Sequence, residues 1–225
     1  PNYVMASPSD LPPAYARYWE LFLVMGWQTL WRTVVGLLLA VVFGVLLGMV
    51  MGFSRLMRDA LYPLLVGFNA IPKATLVPII ALLFVGQHNF NTVMIAFLIS
   101  FFPIAVSVSI GLSTLEPEYR DILRSLGASK TTIFWKIALP KTLPEFFGAL
   151  KVAVTLAFIG TNLMEIVSPH GRGLGALFDS GKTNSDYPLM FAVLIALALM
   201  GIVLYYVVVA LEKIFAGWAE RSPSY

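Results

Sequence analysis

The sequence contains no cysteine and unusually few charged residues. Without cysteine, the chain can form neither a disulfide scaffold nor a thiolate metal site. Only 12% of its 225 residues are Asp, Glu, Lys or Arg, whereas a soluble domain has about 25%. Hydrophobic residues make up 59% of the chain, and the mean hydropathy is +0.83. This composition excludes a soluble monomer and places the chain among the polytopic membrane proteins.

Motifs for catalysis, metal binding and nucleotide binding are also missing from the sequence. The two histidines, His88 and His170, form no H-E-x-x-H pair, and no serine lies in a G-x-S-x-G elbow. Five residues separate Gly175 from the G-K-T at Gly181, whereas a phosphate-binding loop has four. The net charge of +3 is explained by cytoplasmic retention of Lys and Arg. We therefore expect no enzyme, no metal, no cofactor bound by this chain and no nucleic-acid partner.

Apolar runs of about 20 residues, the length of a helix that crosses a bilayer, recur along the chain. Barrel strands would instead alternate apolar and polar residues over about 10 positions. The runs therefore predict an all-α, polytopic transmembrane helical bundle that forms one domain over residues 27–211. The predicted spans are 27–53, 61–85, 92–112, 146–167 and 189–211.

The polar segment 114–144, between the third and fourth spans, carries a third of the positive side chains. Arg120, Arg124, Lys130, Lys136 and Lys141 are five of the 15 Lys and Arg residues. Because such residues are retained inside, we place this segment and the tail 212–225 in the cytoplasm. By alternation, the glycine-rich segment 168–187 and an interfacial segment 1–26 lie outside. Two interpretations stay open, namely an upstream span that this chain lacks and a five-span protein that starts outside.

Small residues recur every four positions in the first span, at Gly36, Ala40, Gly44, Gly48 and Gly52. Glycine costs up to about 1 kcal/mol in a helix interior, so a regular stripe of glycine needs a compensating interaction. Close approach of another helix backbone supplies that interaction in membranes. The stripe therefore predicts that the first span packs tightly against a neighbouring helix.

Polar residues within the spans mark a candidate path for a solute. A lysine at the centre of a span costs about 2.5–3.5 kcal/mol on insertion scales. Lys73, between Pro72 and Pro78, either lines a path that attracts anions or snorkels beside a kink. Glu165 leaves three interpretations open, which are path lining, structural pairing and contact with an external subunit. The candidate path residues are Asn69, Lys73, Thr75, Ser100, Thr161, Asn162 and Glu165.

The cytoplasmic segment contains an ordered motif. D-I-L begins at Asp121, Gly127 follows after three residues, and I-x-L-P begins at Ile137 after nine more. This order resembles the E-A-A-x3-G-x9-I-x-L-P loop of permease subunits of ATP-binding-cassette (ABC) importers. The glycine, isoleucine, leucine and proline match in register, aspartate keeps the charge of glutamate, and the two alanines are replaced. The candidate ATPase-coupling residues are Asp121, Ile122, Leu123, Gly127, Ala128, Ile137, Leu139 and Pro140.

The order of the spans extends this resemblance to nearly the whole chain. I-P-K-A-T-L-V-P in the second span and G-R-G-L-G after the fourth are similar to permeases for sulfonate, taurine, nitrate and thiamine-precursor or flavin-type nutrients. The resemblance implies a type I ABC importer permease-like fold and a multi-pass protein of the bacterial plasma (inner) membrane. It also implies a homodimer with a second permease copy, two cytoplasmic ATPase subunits that hold ATP and Mg, and an external solute-binding protein. A small, anionic nutrient would then cross by alternating access.

Two other classes of function stay open at the level of the sequence. The first is a secondary transporter or channel that works alone, and the second is a membrane enzyme. The missing catalytic motifs count against the enzyme. An ATPase that is encoded beside this chain, or that co-purifies with it, would separate the importer from the lone transporter.

The charge distribution makes a direct prediction about topology. A cysteine introduced at Ser129 is expected to resist an impermeant maleimide added outside intact cells, whereas one at Ser180 is expected to react. The parent chain, which has no cysteine, is the negative control for labelling. Labelling at Ser129 from outside would reverse the assigned orientation.

Overall fold

The structure is a computed structural model that describes residues 7–113, 122, 124–168 and 171–218. Helices dominate these residues because a backbone in lipid has to satisfy its own polar groups. A short 3-10 turn at Pro8–Asp10 precedes the first helix, and a π-helical turn at Phe134–Ala138 joins two others. The helices in chain order are α1 (Leu11–Phe53), α2 (Arg55–Ala70), α3 (Lys73–Leu83), α4 (His88–Ser113), α5 (Lys130–Ile133), α6 (Leu139–Val167), α7 (Leu174–Thr183) and α8 (Tyr187–Ala216).

Among the described residues, four helices are long and apolar enough to cross a membrane. They are Leu11–Phe53, His88–Ser113, Phe134–Val167 and Tyr187–Ala216, and the bent pair α2 and α3 raises the number to five if it is one span. The predicted all-α membrane bundle is therefore confirmed. The fourth span begins earlier than the predicted residue 146, because the π-helical turn and α5 continue it towards the N-terminus.

Helix α1 is longer than the sequence pattern indicates. Residues 11–26, predicted as a separate interfacial segment, are continuous with the first span in one helix of 43 residues. This part of α1 is held by polar contacts as well as by packing. The Tyr15 hydroxyl donates to the Ala192 carbonyl at 2.7 Å, and the Tyr18 hydroxyl donates to the Asp186 carboxylate at 2.9 Å.

The second predicted span is broken into two helices, α2 and α3. The break lies at Ile71, whose backbone angles of φ −65° and ψ 127° are extended. Pro72 follows directly, and a proline disfavours the helical conformation of the residue before it. Of the three prolines in this span, Pro72 produces the break, whereas Pro63 and Pro78 lie inside helices.

The described residues divide into two compact units. The first consists of the described residues of 7–38, 72–99 and 155–204. One cluster of its core is formed by Val77, Ile95 and Met164 from α3, α4 and α6. The other is built around Leu174 and Val193 from α7 and α8, with side chains of α1 packed against them. Residues 174–183, predicted as part of an outer loop, are thus a helix with a buried face.

The second unit consists of the described residues of 39–71, 100–154 and 205–218. Its core cluster joins Met51, Leu65 and Ala105 from α1, α2 and α4. An ion pair between Lys151 Nζ and Glu212 Oε2, at 2.8 Å, connects α6 to α8. The predicted tail 212–225 therefore begins within a helix, because α8 continues to residue 216.

The small-residue stripe of α1 packs against α4 in each unit. In the first unit, a Cβ added at Gly36 would lie 2.5 Å from the Cβ of Ala96. In the second unit, a Cβ added at Gly48 would lie 2.7 Å from the carbonyl oxygen of Ala105. No real side chain tolerates such distances, so the two backbones approach as closely as glycine permits. The prediction of tight helix packing is confirmed.

Candidate functional site

The candidate coupling segment lies in the second unit. Its described part begins with a helical turn, in which the Leu126 N–H donates to the Ile122 carbonyl at 3.1 Å. The Gly127 N–H then donates to the Arg124 carbonyl at 2.9 Å. Gly127 has φ +82°, the left-handed conformation with which glycine commonly ends a helix. The backbone conformation at Gly127 therefore explains why the motif has glycine at this position.

Two apolar side chains on this turn are exposed. Ile122 is 58% exposed and Leu126 is 78% exposed. Exposed apolar residues grouped on one short segment indicate a contact surface. Asp121 and Leu123, which the motif also places on this segment, lie outside the described residues.

The second half of the segment leads without interruption into the fourth span. The Ser129 hydroxyl accepts from the Thr132 N–H at 3.1 Å and so begins α5. Ile133 and Leu139, on either side of the π-helical turn, both have helical backbone angles. The Phe134 ring lies 5.3 Å from that of Phe53 and ties this turn to the end of α1. The remaining predicted coupling residues are Ala128, Ile137, Leu139 and Pro140, all half-buried.

A buried ion pair between Arg32 of α1 and Glu165 of α6 forms the polar centre of the first unit. Arg32 Nη1 lies 3.1 Å from Glu165 Oε1, and the two side chains are 2% and 0% exposed. The Thr29 hydroxyl donates to Glu165 Oε2 at 2.8 Å, and the Gly175 N–H donates to the same oxygen at 3.0 Å. Of the three interpretations of Glu165 from the sequence, this geometry is structural pairing.

The remaining donors of the Arg32 guanidinium are also used. Nε and Nη2 donate to Asn89 Oδ1 at 3.0 and 2.7 Å, and Nη1 donates to the Arg172 carbonyl. A buried charge is tolerated only with such complete pairing. Sequence reasoning missed Arg32, although a charge within a predicted span is the same signal that identified Lys73.

The G-R-G-L-G sequence closes tightly around Glu165. Gly173 has φ +137°, and a Cβ at this position would collide with the Glu165 carboxylate. A Cβ at Gly175 would lie 2.8 Å from both the Asn162 carbonyl oxygen and the Glu165 Cβ. These glycines allow the backbone to lie close to the Glu165 carboxylate. Packing within the protein therefore explains the glycine-rich motif, and phosphate binding is not needed to explain it.

Two other predicted path residues lie on the same helix as Glu165. Thr161 accepts a hydrogen bond from the Thr33 hydroxyl at 3.0 Å and is fully buried. The Asn162 amide donates to the Phe158 carbonyl of its own helix at 2.7 Å. The structure therefore groups Thr161 and Glu165 in buried interhelical contacts with α1.

The other predicted path residues are distributed between the units. In the first unit, Lys73 is the half-buried first residue of α3, and the exposed Thr75 donates to the Pro72 carbonyl at 2.6 Å. In the second unit, Asn69 is half-buried and Ser100 is buried. Across the described residues, no group of three His, Cys, Asp or Glu side chains is arranged to hold a metal ion.

The comparison with protein families gives a match over most of the chain. Residues 40–220 match the family described as binding-protein-dependent transport system inner membrane component. The formylaminopyrimidine transport permease protein ThiX of Halalkalibacterium halodurans is 35% identical over 188 residues, which cover 84% of this chain and 74% of that protein. The riboflavin transport system permease protein RibX of Chloroflexus aurantiacus is 32% identical over 73% of this chain and 60% of that protein.

Solved structures with a similar fold are found among transporters. An inward-facing form of the MetNI methionine ABC transporter has a TM-score of 0.72 to this structure. The superposition covers 88% of this chain and 96% of that chain, at 20% sequence identity. At this identity the likeness concerns the fold, which is that of an ABC transporter membrane subunit.

The close contact at Gly173 predicts an unequal cost for two alanine substitutions. Gly86→Ala adds strain only, because Gly86 has φ +83° and no described atom lies within 4 Å of an added Cβ. Gly173→Ala adds strain and also displaces the Glu165 carboxylate from Arg32. We expect a loss of about 1–2 kcal/mol for Gly86→Ala and of about 3 kcal/mol or more for Gly173→Ala. Thermal unfolding in detergent measures both, and equal melting temperatures would contradict the contact.

Proposed function

This chain belongs to the family of binding-protein-dependent transport system inner membrane components, and from that premise we propose how it works in an importer. The chain is a membrane permease of an ABC importer and a multi-pass plasma-membrane protein. It is a transport subunit and not a catalytic one. In our proposal it pairs with a second copy of itself, and two cytoplasmic subunits bind ATP and Mg²⁺ and hydrolyse the ATP. An external binding protein delivers the solute.

The coupling segment is the observation that carries this proposal. A helical turn that ends at Gly127 presents Ile122 and Leu126 to the surface. Helices of two or three turns are marginal in water and are stabilised by packing an apolar face against a partner. A cytoplasmic ATPase subunit with an apolar groove would supply that packing. A channel or transporter that works alone would have no use for this surface.

The connection to the fourth span gives the segment a mechanical role. The backbone is helical from Lys130 through the π-helical turn to Val167. A displacement of the exposed turn by the ATPases would pass through Ala128 and Ser129 to α5 and from there along the helix. We propose that this motion switches the solute path between inside-open and outside-open states, since ATP binding favours one of the two.

The nature of the solute is proposed from Lys73 and from the relatives. The relatives are named for transport of formylaminopyrimidine, riboflavin and nitrate, among others. Lys73 is the first residue of α3, and the N-terminus of a helix itself carries partial positive charge. These two positive features favour a small nutrient that bears negative charge. Identifying the solute requires a ligand-binding screen of the binding protein encoded beside this chain.

Coupling is tested by two glycine variants that share the same strain. Gly127 has φ +82° and Gly86 has φ +83°, and no described atom lies within 4 Å of a Cβ added at either. We expect the Gly127→Val permease to insert normally into the membrane. Its retention of the ATPase subunits, or its stimulated ATP hydrolysis, should fall about tenfold, because losing about 1.4 kcal/mol of contact free energy has that effect. Gly86→Val is expected to retain both. Subunit stoichiometry and ATPase rate of purified complexes measure the difference, and equal behaviour of both variants would remove the coupling role.

The anion preference is tested at Lys73. We expect Lys73→Met to raise the KM for uptake of the solute that the screen identifies, by about tenfold if one charge-assisted contact is lost. Assembly should be unchanged. Lys213→Met, at an exposed position in the last turn of α8, is the control. Unchanged uptake kinetics would make Lys73 a structural residue.

A further inference from the structure

The segment that follows the fourth span is held at its start by a convergent set of contacts. The Leu174 N–H donates to the Thr29 hydroxyl at 2.8 Å, and the Gly175 N–H donates to Glu165 Oε2 at 3.0 Å. The Arg172 carbonyl accepts from the Arg32 guanidinium. Two N–H groups that would be open at the N-terminus of α7, and the carbonyl of Arg172 just before it, thus end on one buried cluster.

The Thr29 hydroxyl links these contacts to each other. It donates to the Glu165 carboxylate at 2.8 Å and accepts from the Leu174 N–H. Its own side chain is fully buried. Removing this one hydroxyl would leave a buried N–H of α7 without its acceptor, while the Arg32–Glu165 pair would keep its direct contact.

The ion pair and hydrogen bonds of the cluster are more than the stability of the fold alone requires. A buried ion pair can often be replaced by apolar residues of similar volume without loss of stability, because desolvation offsets the attraction between the charges. Hydrogen bonds from fixed backbone donors to charged groups have narrow geometry. The cluster therefore defines the position of α7 more sharply than packing of Leu174 and Leu177 would.

The opposite end of α7 is exposed at the surface of the chain. Ser180 and residues 182–185 are exposed and polar. They lie between the fourth and last spans, on the side that the charge distribution places outside. A family that depends on a binding protein needs a docking surface for that protein on this side.

We propose that Arg32, Glu165 and Thr29 are positioning residues, which fix the start of α7 so that its exposed end is oriented for the solute-loaded binding protein. They touch neither the solute nor the binding protein. The inference rests on the importer function proposed above. It assigns to the buried cluster a role in docking, which is distinct from carrying the solute.

The test compares two isosteric substitutions on the same face of α1. Thr29→Val removes the hydroxyl that holds Leu174, and Thr33→Val removes a buried hydroxyl one turn further that contacts Thr161 and the Thr29 carbonyl. Each variant is reconstituted with its ATPase subunits in lipid vesicles. ATP hydrolysis is then titrated with the cognate binding protein, purified with the solute that it retains from cells.

We expect Thr29→Val to raise the half-saturating concentration of binding protein about three- to tenfold, the effect of one lost hydrogen bond. The maximal rate at saturation and the rate without binding protein should stay near those of the parent. Thr33→Val should leave the half-saturating concentration unchanged, and Thr29→Ser, which keeps the hydroxyl, should restore it. A purely structural role would instead lower the yield or the maximal rate without moving half-saturation.

Thr29→Ala is the second variant, in case Thr29→Val fails to assemble. It also removes the hydroxyl that accepts from the Leu174 N–H but places no methyl group where that hydroxyl contacted the Glu165 carboxylate, and the same rise is expected. If Thr29→Val or Thr29→Ala assembles and keeps the half-saturating concentration of the parent, the positioning role is overturned, as it is by an equal rise in Thr33→Val. Absence of stimulation in the parent complex would contradict the importer function itself, so the two failures are distinguishable.

Discussion

A peptide group that is buried in lipid or in protein has no water to bind, and this constraint explains both the regular and the irregular parts of the structure. Most of the backbone satisfies itself in helices. Where the helix stops after α6, side chains take over. The Arg172 N–H donates to His88 Nε2 at 3.1 Å, and the Arg172 carbonyl accepts from Arg32. The irregular segment is thus supplied with partners by α1 and α4.

The same constraint governs the charged residues that the spans contain. Helix α6 carries two ion pairs, Glu165 with Arg32 of α1 and Lys151 with Glu212 of α8. The first is almost completely buried, whereas the second is partly exposed. The first also receives hydrogen bonds from the Thr29 hydroxyl and from the Gly175 N–H. The buried pair therefore constrains the positions of the neighbouring residues more than the partly exposed pair does.

Patterns that depend on local chemistry were predictable from the sequence. Pro72 determines where the second span breaks, because its effect on the preceding residue is local. The spacing of Gly36 and Gly48 indicated close packing, although the partner helix α4 could be found only from the structure. The prediction of 168–187 as a loop failed at α7, since that helix is stabilised by burial of Leu174 and by Thr29, both tertiary effects. Arg32 was missed because its role depends on Glu165, which lies 133 positions away in the sequence and is brought next to it only by the fold.

The π-helical turn at Phe134–Ala138 has a consequence for the rotational phase of the fourth span. A wide turn holds one residue more than an α-helical turn, and each residue of an α-helix rotates the chain by about 100°. The turn therefore determines which faces of α5 and of α6 are aligned along one axis. Loss or gain of a single residue there would leave both helices intact but turn one against the other by about a quarter of a revolution. We therefore expect this short stretch to tolerate insertions and deletions less well than substitutions.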